Sequence, residues 1–476
     1  MAQQFDLIIR NGTVVTAGDT VRCDIGVKDG RIAVLADALT GAADVVDATG
    51  KLVLPGGIDS HVHIDEPPFY GVVHADDFES ASISAACGGT TTLIPFVQQE
   101  TGKALRTSVQ EYHKKAEGKA VIDYAFHLIV VDTSEQTVGQ ELPALVEDGY
   151  TSIKIYMTYE GMVLNDYQVL QVLDVARRTG AMVMIHAEND HCIHWLTQKL
   201  GATGDTSLAQ FPKMAPMAVE REATHRAISL GEIIDVPVLI VHVSAREALE
   251  QIKWARDRGL KVYGETCPQY LFLDEELIAQ PGWEGAKYLC APPPRDKSNP
   301  DFLWQGIASG SFQVVSSDHC SFLFEGNHGK RANGPHPHFR HVAPGLPGIE
   351  TRLPLLFSEG VGKNRIDLNT FVAVTATNAA KLYGLYPRKG TIAVGSDADL
   401  AIWDPEREVT ITRDMLHDRM DFTPYEGFKV KGWPVMTFSR GEAVWRDGRP
   451  AGKPGRGRFL PCDRPELAKP LGRAAR

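Results

Sequence analysis

The fold is decided by the stretch TSIKIYMTYEGMVLNDYQVLQVLDVARRTGAMVMIHAE, residues 151–188. Its two ends, 151–157 and 182–188, are short apolar runs with the length of buried strands. Between them, 166–180 repeats apolar residues at helical spacing and ends with two arginines shortly before a glycine, which is typical of a helix terminus. A strand, a helix and a second strand in this order predict two parallel strands joined by a crossover helix.

The same alternation continues in both directions, from Pro55 to about Leu385. A second helix with clear periodicity lies at 245–259, AREALEQIKWARDRG. Eight strands separated by helix-length segments predict an α/β fold, a TIM-like (β/α)8 barrel with insertions. A doubly wound sheet is the alternative, but no GxGxxG follows the first strand. The predicted strands are GIDSHVHI (57–64), TTLIPFV (91–97), DYAFHLIVV (123–131), TSIKIYM (151–157), MVMIHAE (182–188), VLIVHVS (238–244), KVYGETC (261–267) and FQVVSSDHC (312–320).

Both ends of the chain have a different pattern, in which short β-rich runs are separated by turn signals. In residues 5–54 the pairs Asn11-Gly12 and Asp29-Gly30 supply the positive φ that tight hairpin turns require. The same pattern returns near the C-terminus in two segments, 389–404 and 428–450.

Two distant segments with one pattern predict a single small domain to which both termini contribute. We expect a β-sandwich built from residues 1–54 and 386–476. The barrel, residues 55–385, is then inserted between its two halves. A length of 476 residues fits such a two-domain chain.

The overall composition excludes several classes of protein. Hydrophobic residues make up 43% and charged residues 23% of the chain, as in globular proteins with a large core. The 49 Lys and Arg against 60 Asp and Glu give a formal net charge of −11, which argues against nucleic acids and anionic membranes as partners. No apolar stretch is long enough to span a bilayer and the N-terminus lacks signal-peptide features, so we expect a cytoplasmic protein.

Two smaller features of the composition give structural expectations. The seven cysteines are scattered without CxxC pairs, so we expect reduced, mostly buried thiols and neither disulfides nor a zinc ribbon. The C-terminal tail combines basic residues with Pro and Gly, and we expect it to be solvated and not to bind a partner. Its basic residues are Arg449, Lys453, Arg456, Arg458, Arg464, Lys469, Arg473 and Arg476.

Polar residues inside the apolar strands are the candidates for chemistry. His61 and His63 are two residues apart in the first strand, so both project to one side and their imidazoles can chelate one metal ion. An HxH pair alone is a weak signal, because ordinary polar residues at a strand end give the same pattern. Lys154 lies among apolar residues of the fourth strand, where burial is costly unless the charge is paired or neutralised. The alternative is an exposed lysine whose stem covers apolar surface.

Three more polar residues, His186, His242 and Asp318, lie late in apolar strands. Barrel enzymes assemble their sites at the carboxyl ends of the strands, so we expect all six polar residues to converge at one mouth. Each of them alone is as easily a satisfied polar group of the core or a loop. Four histidines, one lysine and one aspartate from five strands together predict a metal site.

The chain resembles a known family in these same segments. The motifs that carry the resemblance are PGGIDSHVHIDEP, GTTTLIPF, SIKIYMTYEG, VMIHAEN, VHVS, GETCPQYL, SSDHC and GTIAVGSDADL. In order and spacing they are similar to those of the amidohydrolase superfamily, in its cyclic-amidase branch of dihydropyrimidinases and D-hydantoinases. The resemblance extends from about Asp6 to Asp447. It implies a homotetrameric hydrolase whose barrel is catalytic and opens the ring of hydantoins or dihydropyrimidines to N-carbamoyl amino acids.

The resemblance also implies two divalent metal ions. The two histidines of the first strand and the aspartate bind the more buried ion, and the two later histidines bind the more exposed one. The lysine, carboxylated by CO₂ to N6-carboxylysine, bridges both, because a carbamate offers anionic oxygens whereas an ammonium group would repel two cations. Imidazole and oxygen ligands favour zinc, with manganese, cobalt and iron as alternatives. The implied ligands are His61, His63, Lys154, His186, His242 and Asp318.

The resemblance assigns two residues to the reaction itself. Asp318 accepts a proton from the attacking water and returns it to the leaving nitrogen. Tyr159, which without the resemblance is as easily a packed loop residue, donates a hydrogen bond to the developing oxyanion. At two positions that touch the substrate in the family, this chain carries Ala291 and Pro347 in place of the usual Ser and Asn. Because proline has no N–H to donate, we expect ring recognition to differ.

The sequence leaves the substrate open. Dihydroorotases typically carry an arginine where this chain has Asp65, so a carboxylated pyrimidine is disfavoured. Allantoinases share an HVHxxEP-like run and stay an alternative, whereas non-enzymatic scaffold relatives lack several of the ligands present here. An apolar wall favours hydantoins with aryl or alkyl substituents, although the same loop residues also suit simple packing. That wall consists of Phe69, Tyr70, Tyr156, Met162 and Val163.

Other histidines are interpreted as structural. The segment 326–348 is rich in His, Gly and Pro, which favours an irregular loop that lines the mouth of the barrel over a further metal site. Three histidines close in sequence to the proposed ligands are expected to support them or to lie on helices. These are His191, His194 and His319.

Overall fold

The structure is a computed structural model that describes residues 4–446 and 448–472. It contains one large sheet of parallel strands and two further sheets built from the chain ends. In the part of the chain that is described, no helix is both long and apolar enough to cross a membrane. The expectations for Asp447, Arg473 and Arg476 lie outside the described residues.

The secondary structure alternates as predicted between Pro55 and Leu385. The strands are β1 (Phe5–Arg10), β2 (Thr13–Val15), β3 (Thr20–Arg22), β4 (Asp24–Lys28), β5 (Arg31–Ala36), β6 (Ala42–Asp47), β7 (Leu52–Pro55), β8 (Gly57–His63), β9 (Thr90–Gln98), β10 (Asp123–Tyr124), β11 (His127–Ile129), β12 (Ser152–Tyr156), β13 (Met182–His186), β14 (Val238–Ile240), β15 (Val262–Thr266), β16 (Val314–Val315), β17 (His319–Cys320), β18 (Leu400–Thr410), β19 (Lys429–Ser439), β20 (Glu442–Arg446) and β21 (Arg449–Pro450). The α-helices are α1 (Phe78–Cys87), α2 (Leu105–Ala116), α3 (Leu142–Glu147), α4 (Asp166–Thr179), α5 (Asp190–Gly201), α6 (Phe211–Met214), α7 (Met217–Ile234), α8 (Arg246–Asp257), α9 (Pro268–Phe272), α10 (Glu275–Ile278), α11 (Asn299–Ala308), α12 (Arg352–Leu356), α13 (Leu368–Val372) and α14 (Asn378–Leu382). Short π- or 3₁₀-helical segments are Thr137–Glu141, Leu208–Gln210, Glu284–Tyr288, Lys330–Asn333, Phe357–Val361, Ala373–Thr377, Arg413–Met415 and Glu466–Ala468.

Strands β8 to β17 form a closed ring of parallel strands. Along the sheet the order is β16-β15-β14-β13-β12-β11-β9-β8-β17, and β10 extends the contact with β9. The two short strands at the ends of this order are halves of one interrupted eighth strand. Its first half pairs with β15 at Val315 and Thr266, and its second half pairs with β8 at His319 and Val62. The ring is therefore complete, which confirms the (β/α)8 barrel and excludes the doubly wound sheet.

Two predicted strands end early or are interrupted at residues with left-handed backbone. The predicted strand 238–244 ends at Ile240, and His242 has φ of 37°. The predicted strand 312–320 is interrupted before Asp318, which has φ of 51°. A positive φ is incompatible with extended strand geometry, so the chain turns out of the sheet at both residues.

The helix that follows the fourth barrel strand is built as its sequence predicts. At its start, Asn165 accepts a hydrogen bond from the backbone N–H of Gln168 at 3.0 Å, and the Gln168 side chain accepts one from the backbone N–H of Asn165 at 3.0 Å. At its end, Gly180 has φ of 79° and terminates the helix. The second predicted helix, 245–259, corresponds to α8 and is followed by Gly259 with φ of 76°.

The two termini form a β-sandwich, as predicted. One sheet has the order β5-β4-β1-β6, and the other has the order β21-β20-β19-β18-β7-β2-β3, so it combines strands from both ends of the chain. Buried residues of both sheets form one apolar cluster, which includes Ile9 and Val27 from the first sheet and Val53, Leu400 and Phe438 from the second. The boundaries of this domain at residues 54 and 386 stay a prediction.

One of the two predicted hairpins is wrong. Asp29 and Gly30 have φ of 51° and 75° and join the antiparallel strands β4 and β5, as predicted. Asn11 also has a positive φ, of 61°, but β1 and β2 on its two sides belong to different sheets. Its backbone N–H donates to Asp24 Oδ1 at 3.0 Å while the chain crosses from one sheet to the other. The Asn11-Gly12 turn is therefore a crossover and not a hairpin.

The C-terminal tail is docked and not solvated. Leu460 is buried, and its backbone N–H donates to the carbonyl of Tyr124 at 2.7 Å. The Tyr263 hydroxyl donates to the carbonyl of Leu467 at 3.1 Å. Arg456 donates to the carbonyl of Val121 at 3.1 Å. The prediction of a solvated tail is wrong for residues 449–472, because apolar side chains and backbone hydrogen bonds attach this segment to the barrel.

The prediction that the cysteines form no disulfides is confirmed, whereas the prediction that most of them are buried is not. All seven are unpaired, as expected for reduced thiols. Only Cys87, Cys267 and Cys290 are buried, however, so the expectation of mostly buried thiols is wrong. Cys192 is exposed because it lies on α5, a helix with no fully buried residue.

Candidate metal centre and active site

The structure places all six proposed ligands at the carboxyl end of the barrel. Two of them lie within strands, two are the last residues of their strands, and two follow a strand at the left-handed positions described above. All are buried except His63, whose side chain is 13% exposed. In chain order they are His61 and His63 on β8, Lys154 on β12, His186 at the end of β13, His242 after β14 and Asp318 between β16 and β17.

His61, His63 and Asp318 form one compact group. The Nε2 atoms of the two imidazoles lie 3.3 and 3.4 Å from the same carboxylate oxygen, Oδ1 of Asp318. The ligand atoms of the three residues all lie within 4.8 Å of one another. Two imidazole nitrogens and one carboxylate oxygen at such spacing can bind a divalent ion.

Lys154, His186 and His242 adjoin this group. Lys154 Nζ is fully buried and lies 3.5 Å from His61 Nε2. The ring centroids of His61 and His242 are 5.2 Å apart, and those of His242 and His186 are 4.4 Å apart. The six side chains therefore form one continuous cluster, with Lys154 beside the first group and the two later histidines on its other side.

Three of the histidines are each oriented by the carboxylate of a different glutamate. Glu265 Oε1 lies 2.6 Å from Nδ1 of His61, and Glu66 Oε1 lies 2.8 Å from Nδ1 of His63. Glu188 Oε2 lies 2.8 Å from Nε2 of His186. In each case the second ring nitrogen is left available for a metal ion, which is the usual arrangement around metal-binding histidines.

These three glutamates were missed by the sequence reasoning. All three occur within the motifs HVHIDEP, IHAE and GET, but no role in the site was predicted for them. Two of them could have been found from their spacing in the sequence, because Glu66 and Glu188 follow a proposed ligand histidine by three and two residues. Glu265 gives no such local signal, because it is 204 residues from His61 and approaches it only in the folded barrel.

Burial shifts Lys154, His61 and His242 toward their neutral forms. Although burial acts in the opposite direction, Glu66 and Asp318 raise the pKa of His63 to about 9. Burial lowers the pKa of Lys154 to about 8, against the opposing effect of Asp318 and Glu265. Burial also lowers the pKa of His61 and His242 well below the usual imidazole range, with a further contribution from neighbouring positive groups. Neutral imidazoles are the form that binds metals, and a neutral amine is the form that reacts with CO₂ to give a carbamate.

An unpaired histidine nitrogen and the types of donor atoms show that the cluster suits a metal ion. Nδ1 of His242 is buried and has no hydrogen-bond partner in the protein. Leaving a buried polar atom unpaired is costly, so such an atom in a native site calls for a ligand. Imidazole nitrogens together with carboxylate oxygens are a donor set that suits zinc and similar divalent ions.

The cluster opens into a small cavity that we call the inner chamber. Its volume is about 90 Å³, and its walls include every proposed ligand except His61, together with Phe69, Tyr156, Tyr159, Met162 and Ala291. Tyr159 has φ of 79°, and its ring centroid lies 5.0 Å from that of His186. Tyr159 is thus positioned beside the candidate metal site, as the sequence comparison implies.

The remaining predicted contact residues lie outside the inner chamber. Tyr70 and Val163 line a second, neighbouring cavity. Pro347 is buried and is not among the described residues that line either cavity. The carboxylate of Asp65 lies 3.7 Å from Lys115 Nζ on α2, and the same lysine donates to the carbonyl of Asp65.

The other histidines lie where the sequence predicts structural roles. His319 Nε2 lies 3.1 Å from Asp76 Oδ2, and His191 and His194 lie on α5. In the segment 326–348 the described backbone is irregular apart from one 3₁₀ turn. Part of this segment lines both cavities, so it forms part of the barrel mouth, as predicted.

Comparison with known proteins identifies the family. The model of the Amidohydrolase family matches residues 52–444. A D-hydantoinase from Ralstonia pickettii is 44% identical over 456 residues, which cover 96% of this chain and 98% of that protein, and one from Geobacillus stearothermophilus is 45% identical over 456 residues, with 95% and 96% covered. The crystal structure of dihydropyrimidinase from Brevibacillus agri NCHU1002 matches with a TM-score of 0.93 at 41% identity, covering 98% of this chain and 99% of that one. This chain therefore belongs to the amidohydrolase family.

Proposed function

We propose that this chain is a metal-dependent hydrolase that opens the ring of hydantoins or dihydropyrimidines to N-carbamoyl amino acids. Water adds to the ring carbonyl, the carbonyl carbon–nitrogen bond breaks, and the nitrogen leaves with one proton as part of a carbamoyl group. The observation that carries the proposal is the group of His61, His63 and Asp318, whose ligand atoms lie within 4.8 Å of one another and of which His63 and Asp318 line the inner chamber. The D-hydantoinase and dihydropyrimidinase relatives support this choice of reaction.

The six clustered residues are proposed to hold two divalent ions. His61 and His63 with Asp318 would hold the more buried ion and His186 and His242 the other, and Lys154, as a CO₂-derived carbamate, would offer anionic oxygens to both. Zinc is the proposed metal, given the imidazole and oxygen donors. When bound, such ions lower the pKa of water and polarise a carbonyl group.

Asp318 is proposed to move the proton of the reaction. Asp318 lines the inner chamber and is 8% exposed, so a ring and a water molecule bound in the chamber would be accessible to it. Although burial acts in the opposite direction, the neighbouring His61, His63 and Lys154 hold the pKa of Asp318 below its usual value. A carboxylate that is ionised at neutral pH can accept the proton of water and then return it to the leaving nitrogen.

Tyr159 is proposed to stabilise the oxyanion that forms on the ring carbonyl. Burial raises the pKa of its hydroxyl well above the usual tyrosine value, so the group keeps its proton and acts as a donor. The side chain lines the inner chamber beside His186. A fixed donor next to the developing charge stabilises the transition state more than the ground state.

The ring itself is proposed to be bound by a partly different set of contacts from that of the relatives. Ala291 lines the inner chamber, but it has no hydroxyl group to offer. Pro347 has no backbone N–H to donate. Phe69 and Tyr156 are proposed to contact the ring or its substituent from the chamber wall, and Val163 to contact the substituent from the neighbouring cavity.

The proposal also includes the oligomeric state, the location and the partners of the enzyme. We propose a homotetramer in the cytoplasm that acts on small cyclic amides, with neither nucleic acid nor membrane as a partner. A non-enzymatic scaffold of the same fold is disfavoured because all six ligand residues are present and clustered.

A substrate panel with metal analysis tests the proposed function. The purified chain is assayed with hydantoin, 5-phenylhydantoin, dihydrouracil and allantoin, and its metal content is measured by mass spectrometry. We expect turnover of a hydantoin or of dihydrouracil, two divalent ions per chain, and loss of activity on chelation that added zinc restores. Turnover of allantoin alone would replace the proposed substrate class, and a protein without bound metal or turnover would leave only the scaffold.

A further inference from the structure

A second group of side chains of metal-binding type lies where the barrel meets the terminal sheets. Cys87 is the last residue of α1, Glu350 precedes α12, and His417 lies between β18 and β19. A sulfur, a carboxylate oxygen and an imidazole nitrogen from these residues all lie within 4.8 Å of one another. We call the three residues the Cys87 cluster. None of them is among the described residues that line the inner chamber, and the proposed ring opening uses none of them.

The Cys87 cluster is enclosed by the barrel but can be reached from solvent. Cys87 and Glu350 are buried, whereas the His417 side chain is 28% exposed. The end of α1 packs closely on Glu350, since a Cβ at Gly88 would meet the carbonyl oxygen of Glu350 at 2.3 Å. The His417 ring packs on Trp445 of β20, with ring centroids 5.1 Å apart. All three side chains are therefore held in place, and an ion can reach them past His417.

The hydrogen bonds of Glu350 leave one of its oxygens for an ion. Oε2 accepts from the Ser84 hydroxyl at 3.0 Å and from the backbone N–H of His417 at 2.8 Å. Nδ1 of His417 lies 3.0 Å from Oε1, which has no other hydrogen-bond partner in the described part of the chain. Nδ1 and Oε1 thus share a single proton when no ion is bound. A metal ion can replace that proton and bind both atoms, as metal ions do at protonated ligands.

The surroundings of the cluster favour a positive charge. The last turn of α1 contains no basic residue, and its carbonyl groups place a partial negative charge beside Cys87. The nearby Arg413 is already paired with Asp418, with Nη1 3.2 Å from Oδ1. Burial, with a further contribution from Glu350, raises the pKa of the Cys87 thiol, so the thiol is protonated in the absence of metal. Metal binding would therefore also release this proton.

We propose that the Cys87 cluster binds one zinc ion, separate from the ions proposed at the mouth of the barrel. Thiolate and imidazole ligands favour zinc over magnesium or calcium. Three protein ligands leave the fourth position of a tetrahedral ion to a water molecule, which can enter beside the partly exposed His417. The ion connects α1 and Glu350 of the barrel to the segment between two strands of the terminal sheet. Its role is therefore structural, and the proposal does not depend on the ring-opening reaction.

Cobalt tests the proposal, because Co²⁺ bound to a thiolate gives a near-ultraviolet charge-transfer band that imidazole and carboxylate ligands do not give. The protein is produced in medium with Co²⁺ in place of Zn²⁺, and its absorption spectrum and metal content are measured. We expect the band in the wild-type protein. Cys87→Ala should lose the band and one cobalt ion per chain, and keep any activity on hydantoins. Cys192→Ala, which removes an exposed thiol, is the matched control and should keep both the band and the ion.

A second variant keeps the thiol and removes the imidazole. We expect the chelator concentration that abolishes half of the band to fall at least about ten-fold in His417→Gln, because loss of a direct ligand weakens binding at least as much as loss of a residue that supports one. The exposed His191→Gln is its control and should behave as the wild-type protein.

Three results would overturn the proposal. The wild-type protein could lack the band, the band could persist in Cys87→Ala and so come from another thiol, or His417→Gln could resist the chelator as well as the wild-type protein does. Failure to hydrolyse any cyclic amide would refute the proposed function but would leave the band of the Cys87 cluster unchanged. The two proposals are therefore tested separately.

Discussion

Glu265 holds the imidazole of His61 from the opposite side to Asp318, with Oε1 of Glu265 2.6 Å from Nδ1 of His61 and both side chains fully buried. The same oxygen accepts from the backbone N–H of His242 at 3.2 Å. We expect Glu265→Gln to weaken metal binding by about 10- to 100-fold, because an amide holds the imidazole less firmly and makes it less basic. The rate of metal loss to a chelator measures this effect. Glu250→Gln, on the exposed face of α8, is the control, and equal rates in both variants would contradict the role of Glu265.

Lys154 is expected to need CO₂ as well as metal. Metal-free protein reloaded in CO₂-depleted buffer should regain little activity, and added bicarbonate should restore it, because only the carbamate offers anionic oxygens to a metal. Lys154→Ala should retain less metal and lose activity under both conditions. Equal reactivation with and without bicarbonate, or full turnover with both metals retained in Lys154→Ala, would show that the lysine is not carboxylated.

Tyr159→Phe separates oxyanion stabilisation from substrate binding. The substitution removes one hydroxyl and keeps the ring that lines both cavities. We expect kcat to fall by about 10²- to 10³-fold while metal content is unchanged, since a single donor to a developing oxyanion has an effect of this size. A variant with wild-type kcat and a raised KM would assign Tyr159 to substrate binding alone.

Lys389 forms ion pairs with three carboxylates between the barrel and the terminal sheets. Its Nζ lies 2.7 Å from Asp123 and from Asp399, and 3.1 Å from Asp397, and the lysine is 1% exposed. Lys389→Met leaves these carboxylates buried together, so we expect a loss of about 3 to 5 kcal/mol in the free energy of unfolding. Urea denaturation measures it. The exposed Lys429→Met should change stability little, and a similar value for both variants would refute the role of Lys389.

His417 gives the protein a pH-dependent contribution to stability. Its Nδ1 lies 3.0 Å from Oε1 of Glu350, and this hydrogen bond raises the pKa of His417 despite partial burial. A histidine whose pKa is raised on folding stabilises the protein fully below its unfolded pKa of about 6.5, and the effect is lost as pH rises through the folded value. We therefore expect His417→Gln to destabilise the protein more at pH of about 6 than at pH of about 8.5.

Thermal denaturation at the two pH values checks this expectation. The exposed His191→Gln is the control and should show no difference between them. A destabilisation by His417→Gln that is equal at both pH values, or larger at the alkaline one, would mean that the charged form of His417 does not contribute.

The barrel and the clustering of the six proposed ligands were predictable because their signals are local. Apolar strands, helical periodicity and a glycine such as Gly180 mark each strand–helix unit, and a polar residue late in a strand marks the site. The positive φ of His242 and Asp318 was not predictable, since non-glycine residues adopt it only when tertiary contacts impose it. The contact of Glu265 with His61 likewise depends on two strands that are distant in sequence.

Two segments were predicted wrongly because their structure also depends on contacts with residues that are distant in sequence. The Asn11-Gly12 pair has the local geometry of a hairpin turn, but Asp24 binds its backbone and the chain continues into another sheet. The basic tail looks solvated in composition, yet Leu460 docks beside Tyr124. In both cases the deciding partner lies far away in the sequence.

The interrupted eighth strand has a consequence for how the barrel is held closed. His61 and His63 belong to the first strand of the ring and Asp318 to the break in the last one. An ion bound by these three residues would therefore cross-link the first and last strands of the barrel, where the last strand is interrupted and the sheet lacks hydrogen bonds. Loss of such an ion would weaken the closure of the barrel at this position, so we expect thermal stability to increase with metal occupancy.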